Sequence, residues 1–183
     1  MAKPGNKLVI FDLDETLIHA RTAQLDRPAD INIAPLHIYV RPFASDLISR
    51  AAQRFTVAIW SAGSPRYVEV ISEHLLAAKV EPLFVWDRER CSKKSSFFSF
   101  SEIFTKDLTM VEEFGFGLES VLIIEDDPVK IADFKDNAII VRQYLGEAED
   151  SELERLSSYF DAIDAVSDIR DLDKNLWCFE KGK

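Results

Sequence analysis

Four short apolar runs divide the chain: Leu8 to Phe11, Phe55 to Trp60, Val121 to Ile124 and Ala138 to Val141. Each is apolar throughout rather than alternating, which is the pattern of strands buried on both faces of a parallel sheet. Between them, apolar positions recur at helical spacing. Phe43, Leu47, Ile48 and Ala51 predict a helix after Pro42. Tyr67, Val68, Ile71 and Leu75 predict another behind Ser64-Pro65, an N-cap followed by a first-turn proline. Asp127-Pro128 repeats that start signal. Ser151 and Glu154 form a capping box ahead of Leu153, Leu156, Phe160 and Ile163, so a final amphipathic helix is expected. Strands alternating with helices predict an α/β fold, an open, mainly parallel, doubly wound sheet with helices on both faces.

Two segments interrupt the alternation. Residues 20–40 place Ile31, Ile33, Ile38 and Val40 around Ala34-Pro35, which predicts a small β-hairpin insert over one end of the sheet. Residues 91–105 mix Ser and Phe with no clean period and read as a partly packed loop. No internal repeat or linker divides residues 1–183, so one domain is expected. A chain of 183 residues with 47% hydrophobic and 30% charged positions suits one core of ordinary size and excludes disordered or fibrous classes.

Charge narrows the partners. Asp and Glu number 32 against 22 Lys and Arg, a net charge of -10, so neither nucleic acid nor an anionic membrane is expected as the main partner. Arg88, Arg90, Lys93 and Lys94 read as a solvated basic face or a local attraction for phosphate. The stretch from Glu147 to Asp173, acidic apart from Arg155 and Arg170, reads as a solvated helix face, with a basic partner surface as the alternative. Cys91 and Cys178 are too few for a disulfide framework and suit a reducing compartment. No apolar run approaches a membrane span, and Asp12 closes the first run too early for a signal-peptide core. A cytoplasmic protein, monomeric or weakly dimeric, is expected. Trp60, Trp86 and Trp177 read as core residues, and His19, His37 and His74 stand at no metal-ligand spacing.

In open parallel sheets ligands bind beyond the carboxyl ends of the strands, so the residues just after each apolar run carry the chemistry. They are Asp12 to Thr16, Ser61 to Ser64 and Glu125 to Pro128. Asp12 and Asp14, two apart on a chain leaving a strand, can both face the crevice while Leu13 points into the core. Such a pair repels unless a cation neutralises it. With Asp126 nearby, the oxygen-only cluster suits Mg²⁺, which takes one or two carboxylates plus water and substrate phosphate. One carboxylate then attacks phosphorus and the other donates a proton to the leaving oxygen. Ser61 and Lys106 are candidates to hold the phosphoryl oxygens. Asp127, directly before Pro128, reads as an N-cap rather than a ligand.

Asp12-Leu13-Asp14-Glu15-Thr16-Leu17 resembles the first motif of the haloacid dehalogenase (HAD) superfamily, in the form used by the small C-terminal-domain, or NLI-interacting-factor-like, phosphatases. Val40 to Phe43, the strand ending at Trp60-Ser61-Ala62-Gly63, Arg88 to Cys91, Lys106-Asp107-Leu108 and Val121 to Pro128 follow in that family's order, so the resemblance spans about residues 7–145. It implies a HAD-like (Rossmann-like) fold and a Mg²⁺-dependent phosphatase working through an aspartyl-phosphate. Asp12 would be the nucleophile and Asp14 the general acid and base. Metal would be held by Asp12, by the backbone carbonyl of Asp14 and by Asp126. Ser61, Lys106 and Arg88 would bind the substrate phosphate, with Thr16 and Glu125 in support. Glu125 departs from the family's usual Asp. The segment between Cys91 and Lys106 and the region from Ala20 to Val40 match poorly.

The short insert favours a bulky substrate, such as a phosphoserine or phosphothreonine protein segment, over a small metabolite that needs enclosure. A small-metabolite phosphatase and a catalytically weak, phosphatase-like binding module are the alternatives. Val121 to Pro128 also looks like the first strand and acidic pair of a phosphoacceptor receiver domain. The chain beyond Val121 is too short for one, which needs roughly 100 residues.

Overall fold

The structure, a computed structural model, describes residues 6–76, 80–95 and 102–176. In chain order the regular elements are β1 (Leu8–Phe11), β2 (Ile18–Arg21), β3 (Ile31–Ile33), β4 (Leu36–Val40), α1 (Ala44–Ala52), β5 (Thr56–Trp60), α2 (Pro65–Leu75), β6 (Val85–Trp86), β7 (Ser92–Ser95), β8 (Glu102–Thr105), β9 (Val121–Glu125), β10 (Ala138–Ile140), α3 (Glu152–Ser157) and α4 (Phe160–Ala165). Short 3₁₀ segments fill several of the connections.

The expected sheet is present, and all of its pairings are parallel, in the order β10-β9-β1-β5-β6. The four apolar runs are its inner strands and one edge. The other edge, β6, is too short to show a period in the sequence. Alternate residues of each strand face opposite sides. Val9, Phe11, Val57, Ile59, Leu122 and Ile124 pack under the buried faces of all four α-helices. Leu8, Ile10, Ala58, Trp60, Val121 and Ile123 pack under Leu108 and Val111 of a 3₁₀ segment and an aromatic group of Phe84 and Trp86. Helical segments thus cover both faces, α on one and 3₁₀ on the other. Trp60 and Trp86 are core residues, edge to face at 4.9 Å. Trp177 lies outside the described residues, as does Cys178.

Four local expectations are corrected. The insert at residues 20–40 is a three-stranded antiparallel sheet, β2-β4-β3, rather than a hairpin, because β4 pairs with β2 through His37 to Val40 and with β3 through Leu36 to Ile38. The region expected as a loop at residues 91–105 contains two antiparallel strands, β7 and β8, and residues 96–101 lie outside the described residues. Its register places Lys93 opposite Phe104, with the ammonium 5.6 Å from the ring centroid. The single helix expected after Ser151 is two. The hydroxyls of Ser157 and Ser158 donate to the carbonyls of Glu154 and Arg155, competing with the continuing ladder. Ser151 makes no capping bond and accepts one from Arg155 instead. After Pro128 a turn replaces the expected helix, with Asp127 Oδ1 accepting from the Val129 amide at 2.9 Å. α1 and α2 form where expected, although Ser64, at the N-cap of α2, makes no side-chain capping bond.

A buried ion network ties the insert to the last third of the chain. Arg41, just after β4, is fully buried and binds both oxygens of Asp150, 3.1 Å each, while its third nitrogen donates to the Thr16 carbonyl at 3.0 Å. Asp150 also accepts from Arg142 and the Glu152 amide. Burial works to raise the Asp150 carboxyl, but the bonds from Arg41, Glu152 and Arg142 outweigh it and hold the group below its ordinary value. Part of the acidic stretch expected to be solvated is therefore inside the fold. Because the folded value is depressed, this carboxylate stabilises the fold above the unfolded pKa of about 3.9, and that contribution is lost as pH falls through the folded value. Arg41→Leu is expected to cost roughly 3–5 kcal/mol in urea unfolding at pH 7, since it strands a buried carboxylate. Adding Asp150→Leu is expected to recover part of that loss.

Candidate active site

β1 lies at the point where the strand order reverses, with β5 on one side and β9 on the other. Phe11 is level with Ile59 and Ile124, so Asp12 leaves the sheet level with Trp60 and Glu125, the last residues of β5 and β9. The chain then turns tightly. The Leu13 carbonyl accepts the amides of Thr16, Leu17 and Ile18, and Glu15 sits at φ 59, a left-handed conformation uncommon outside glycine. The Tyr144 amide bonds the Glu15 carbonyl at 2.7 Å and holds the turn from outside. This geometry sends the carboxylates of Asp12 and Asp14 to different partners.

Asp12 is buried among lysines. Lys106 Nζ, itself fully buried, lies 2.6 Å from Asp12 Oδ1 and 2.6 Å from Glu125 Oε2. Lys130 Nζ lies 3.3 Å from Asp12 Oδ2, 2.9 Å from Glu125 Oε1 and 3.2 Å from Asp126 Oδ1. The Thr16 hydroxyl reaches Asp12 Oδ2 at 3.2 Å and Asp126 Oδ1 at 3.4 Å. Gln143 donates to the other oxygen of Asp126 at 3.0 Å. Burial and then the charge of Glu125 push the Asp12 carboxyl up, against the pull of Lys106 and Lys130. For both lysines burial alone works downward, but Asp12 and Glu125 more than offset it, so both ammonium groups are raised and stay charged.

Asp14 faces the other way. Its Oδ2 accepts from Ser61 at 3.1 Å and its Oδ1 from the Tyr67 hydroxyl at 2.5 Å. Burial, followed by the charge of Asp12, raises its pKa, and the Tyr67 and Ser61 bonds only partly reverse the shift. Glu15 beside it is pushed up to about 7 by burial and by Asp14. An open cavity of about 440 Å³ reaches Asp14, lined also by Leu36, Tyr67, Arg88 and Lys130.

Of the residues expected from the sequence, Asp12, Thr16, Lys106, Glu125 and Asp126 form one buried cluster. Ser61 lies apart from it, bonded to Asp14, and Arg88 stands exposed on the cavity wall. The carboxylates of Asp12, Glu125 and Asp126 lie within 4.8 Å of one another. The side chain of Asp14 is not in that trio. Glu125, expected only in support, is wholly buried, with each oxygen on a lysine. Cys91 is half-buried, its Sγ 3.9 Å from the Ser61 carbonyl, and burial pushes its thiol up. Lys130, Tyr67 and Gln143 are additions from the structure. Tyr67 fits the apolar stripe of α2, and Lys130 has only its place four residues after Asp126 to mark it.

Residues 7–170 match the NLI interacting factor-like phosphatase family. The chain belongs to that family. Its relatives include the nuclear envelope morphology protein 1 of Schizosaccharomyces pombe, 27% identical over 93% of this chain and 36% of that protein. A probable C-terminal domain small phosphatase of Dictyostelium discoideum is 25% identical over 91% of this chain and 53% of that protein. The chain therefore spans between about a third and a half of these relatives. The fission yeast RNA polymerase II CTD phosphatase Fcp1, in a structure of its R271A variant bound to beryllium fluoride, superposes with a TM-score of 0.54 over 86% of this chain and 51% of that one. At 18% identity this likeness concerns the fold, which is HAD-like. No helix among the described residues is long and apolar enough to cross a membrane.

Tyr67→Phe is expected to raise the Asp14 pKa further, by about one unit, since it deletes a hydrogen bond to the ionised form. A carbon-13 NMR titration of the Asp14 carboxyl in EDTA checks it; an unmoved or lowered midpoint contradicts the pairing.

Proposed function

We propose that this family member is a Mg²⁺-dependent phosphatase that hydrolyses phosphate monoesters through an aspartyl-phosphate on Asp12. The observation that carries the reading is the contrast between two carboxylates two residues apart. Asp12 is held by ammonium groups on both oxygens, whereas Asp14 accepts from the neutral hydroxyls of Ser61 and Tyr67. A pair whose surroundings differ in this way divides into a nucleophile and a proton donor.

Asp12 forms a bond to phosphorus as the ester P–O bond breaks, and Asp14 gives its proton to the leaving oxygen. Asp14, now a carboxylate, takes a proton from the water that attacks phosphorus, releasing inorganic phosphate and restoring both groups. Lys106 fixes the orientation of Asp12 and balances the charge between Asp12 and Glu125. Arg88, on the cavity wall, and Ser61, buried behind Asp14, bind the phosphoryl oxygens. The oxygen-only donor set of Asp12 and Asp126 fits a hard divalent ion, with the Asp14 carbonyl as the further ligand implied by the family motif. When bound, Mg²⁺ neutralises the repulsion between the nucleophile and the phosphate.

The substrate class we favour is a phosphorylated protein segment. The cavity is open, and the three-stranded insert borders it only with Ala20 and Leu36, leaving room for a chain to lie across the rim. Relatives named as C-terminal-domain phosphatases point the same way. The sparse cysteines keep a cytoplasmic setting within this reading.

The test is hydrolysis of p-nitrophenyl phosphate with Mg²⁺ and with EDTA, followed by phosphopeptides against phosphorylated metabolites. Asp12→Asn is expected to lose on the order of 10³-fold or more in kcat with its circular dichroism unchanged; full turnover in this variant rejects the nucleophile. Asp126→Ala is expected to raise the Mg²⁺ concentration for half-maximal rate by roughly 10–100-fold or more, and an unaltered requirement removes Asp126 from the metal set.

A further inference from the structure

Lys130 has no part in the reaction proposed above, yet it makes the most central contact of the site. Its ammonium touches one oxygen of each carboxylate in the trio of Asp12, Glu125 and Asp126. Two of those atoms, Asp12 Oδ2 and Asp126 Oδ1, are also the pair that the Thr16 hydroxyl bridges. They are oxygens of the two side chains that a divalent ion would need. Lys106, by contrast, holds the opposite oxygen of Asp12 and does not contact Asp126 within hydrogen-bonding distance among the bonds described.

The two lysines also differ in freedom. Lys106 is enclosed, with its side chain 0% exposed, while the side chain of Lys130 is 18% exposed and lines the open cavity beside Asp14 and Arg88. The Lys130 backbone is fixed at both ends of the residue. Its amide donates to the Asp127 carbonyl at 3.1 Å and its carbonyl accepts from the Lys106 amide at 2.8 Å. The four-carbon stem can therefore rotate into the cavity without moving the chain. Mg²⁺ requires oxygens at about 2.0–2.1 Å in near-octahedral order, which an ammonium among the same oxygens prevents.

We propose that Lys130 is a tethered counter-ion occupying the divalent-cation position, which it must leave for Mg²⁺ to bind, so that this one side chain sets the metal affinity of the site. The inference rests on the reading of these carboxylates as a Mg²⁺ site. With Lys130 inside, the trio is partly neutralised and the cluster tolerates the absence of metal. With Mg²⁺ bound, the ammonium lies in the cavity.

Isothermal titration of MgCl₂ into the full chain tests this directly. Lys130→Met is expected to bind Mg²⁺ at least about tenfold more tightly than wild type, and Lys130→Arg, which keeps the charge, is expected to show no such gain. Acetylation with acetic anhydride, read by mass spectrometry on the wild-type protein, gives a second measurement that needs no variant to fold. Mg²⁺ is expected to increase labelling of Lys130 several-fold while Lys106 stays protected. Equal or weaker Mg²⁺ binding by a folded Lys130→Met protein overturns the competition and leaves the metal site standing. If that variant does not fold, Lys130 labelling that fails to rise with Mg²⁺ overturns it. Absence of Mg²⁺ binding in wild type and folded variant alike removes the metal site and this inference together, whereas binding in the variant alone is the strongest support.

Discussion

Two ammonium groups shared among buried carboxylates are the constraint around which the rest of the molecule is arranged. Asp12 and Glu125 each place one oxygen on Lys106 and the other on Lys130, which closes a ring of alternating charge at the carboxyl end of the sheet. A carboxylate taken out of water without such partners is prohibitively costly, so neither acid could be buried here alone. The ring needs β1 for Asp12, β9 for Glu125 and the segment after β8 for Lys106. Parallel pairing of β1 and β9 makes the two acids leave the sheet at one level, and the apolar character of both strands holds that pairing.

Around the ring, a second layer fixes directions. Arg41 anchors the Thr16 carbonyl from below, Tyr144 holds Glu15 in its left-handed turn, and Gln143 occupies the far oxygen of Asp126. Both Gln143 and Tyr144 come from the stretch just after β10, and Asp150, a few residues on, completes the hold on Arg41. What reads as the outer edge of the sheet and an acidic tail is thus part of the support of the site.

The strands and the acids at their ends are legible in the sequence, because a strand buried on both faces leaves an unbroken apolar run and a crevice leaves polar residues directly behind it. Asp12, Asp14, Ser61 and Asp126 are found in this way, and Lys106 by its motif. Lys130 is not legible, since its importance depends on a turn after Pro128 that folds it back over three acids, and the local pattern there suggests a helix. Tyr67 is hidden for a different reason: its ring belongs to the apolar stripe of α2 and only its hydroxyl reaches Asp14. The single helix expected after Ser151 divides because serine hydroxyls compete for its carbonyls, a contest that periodicity does not register. Strand β6, at two residues, has no period to read.

The position of β1 at the centre of the sheet also bears on the order in which the molecule can be built. β1 is made before the other strands of its sheet, yet one of its two neighbours, β9, comes more than a hundred residues later, and the contacts of Asp12 with Lys106 and of Arg41 with Asp150 span 94 and 109 positions. A nascent chain holding only β1, β5 and α2 has Asp12 and Asp14 and neither of the lysines that make the burial of Asp12 tolerable. Contacts of this separation slow folding, because the loop must close before they form. The site therefore assembles late, as the step that completes the sheet, and a chain stalled before Glu125 exposes a half-made apolar strand edge of the kind that chaperones recognise.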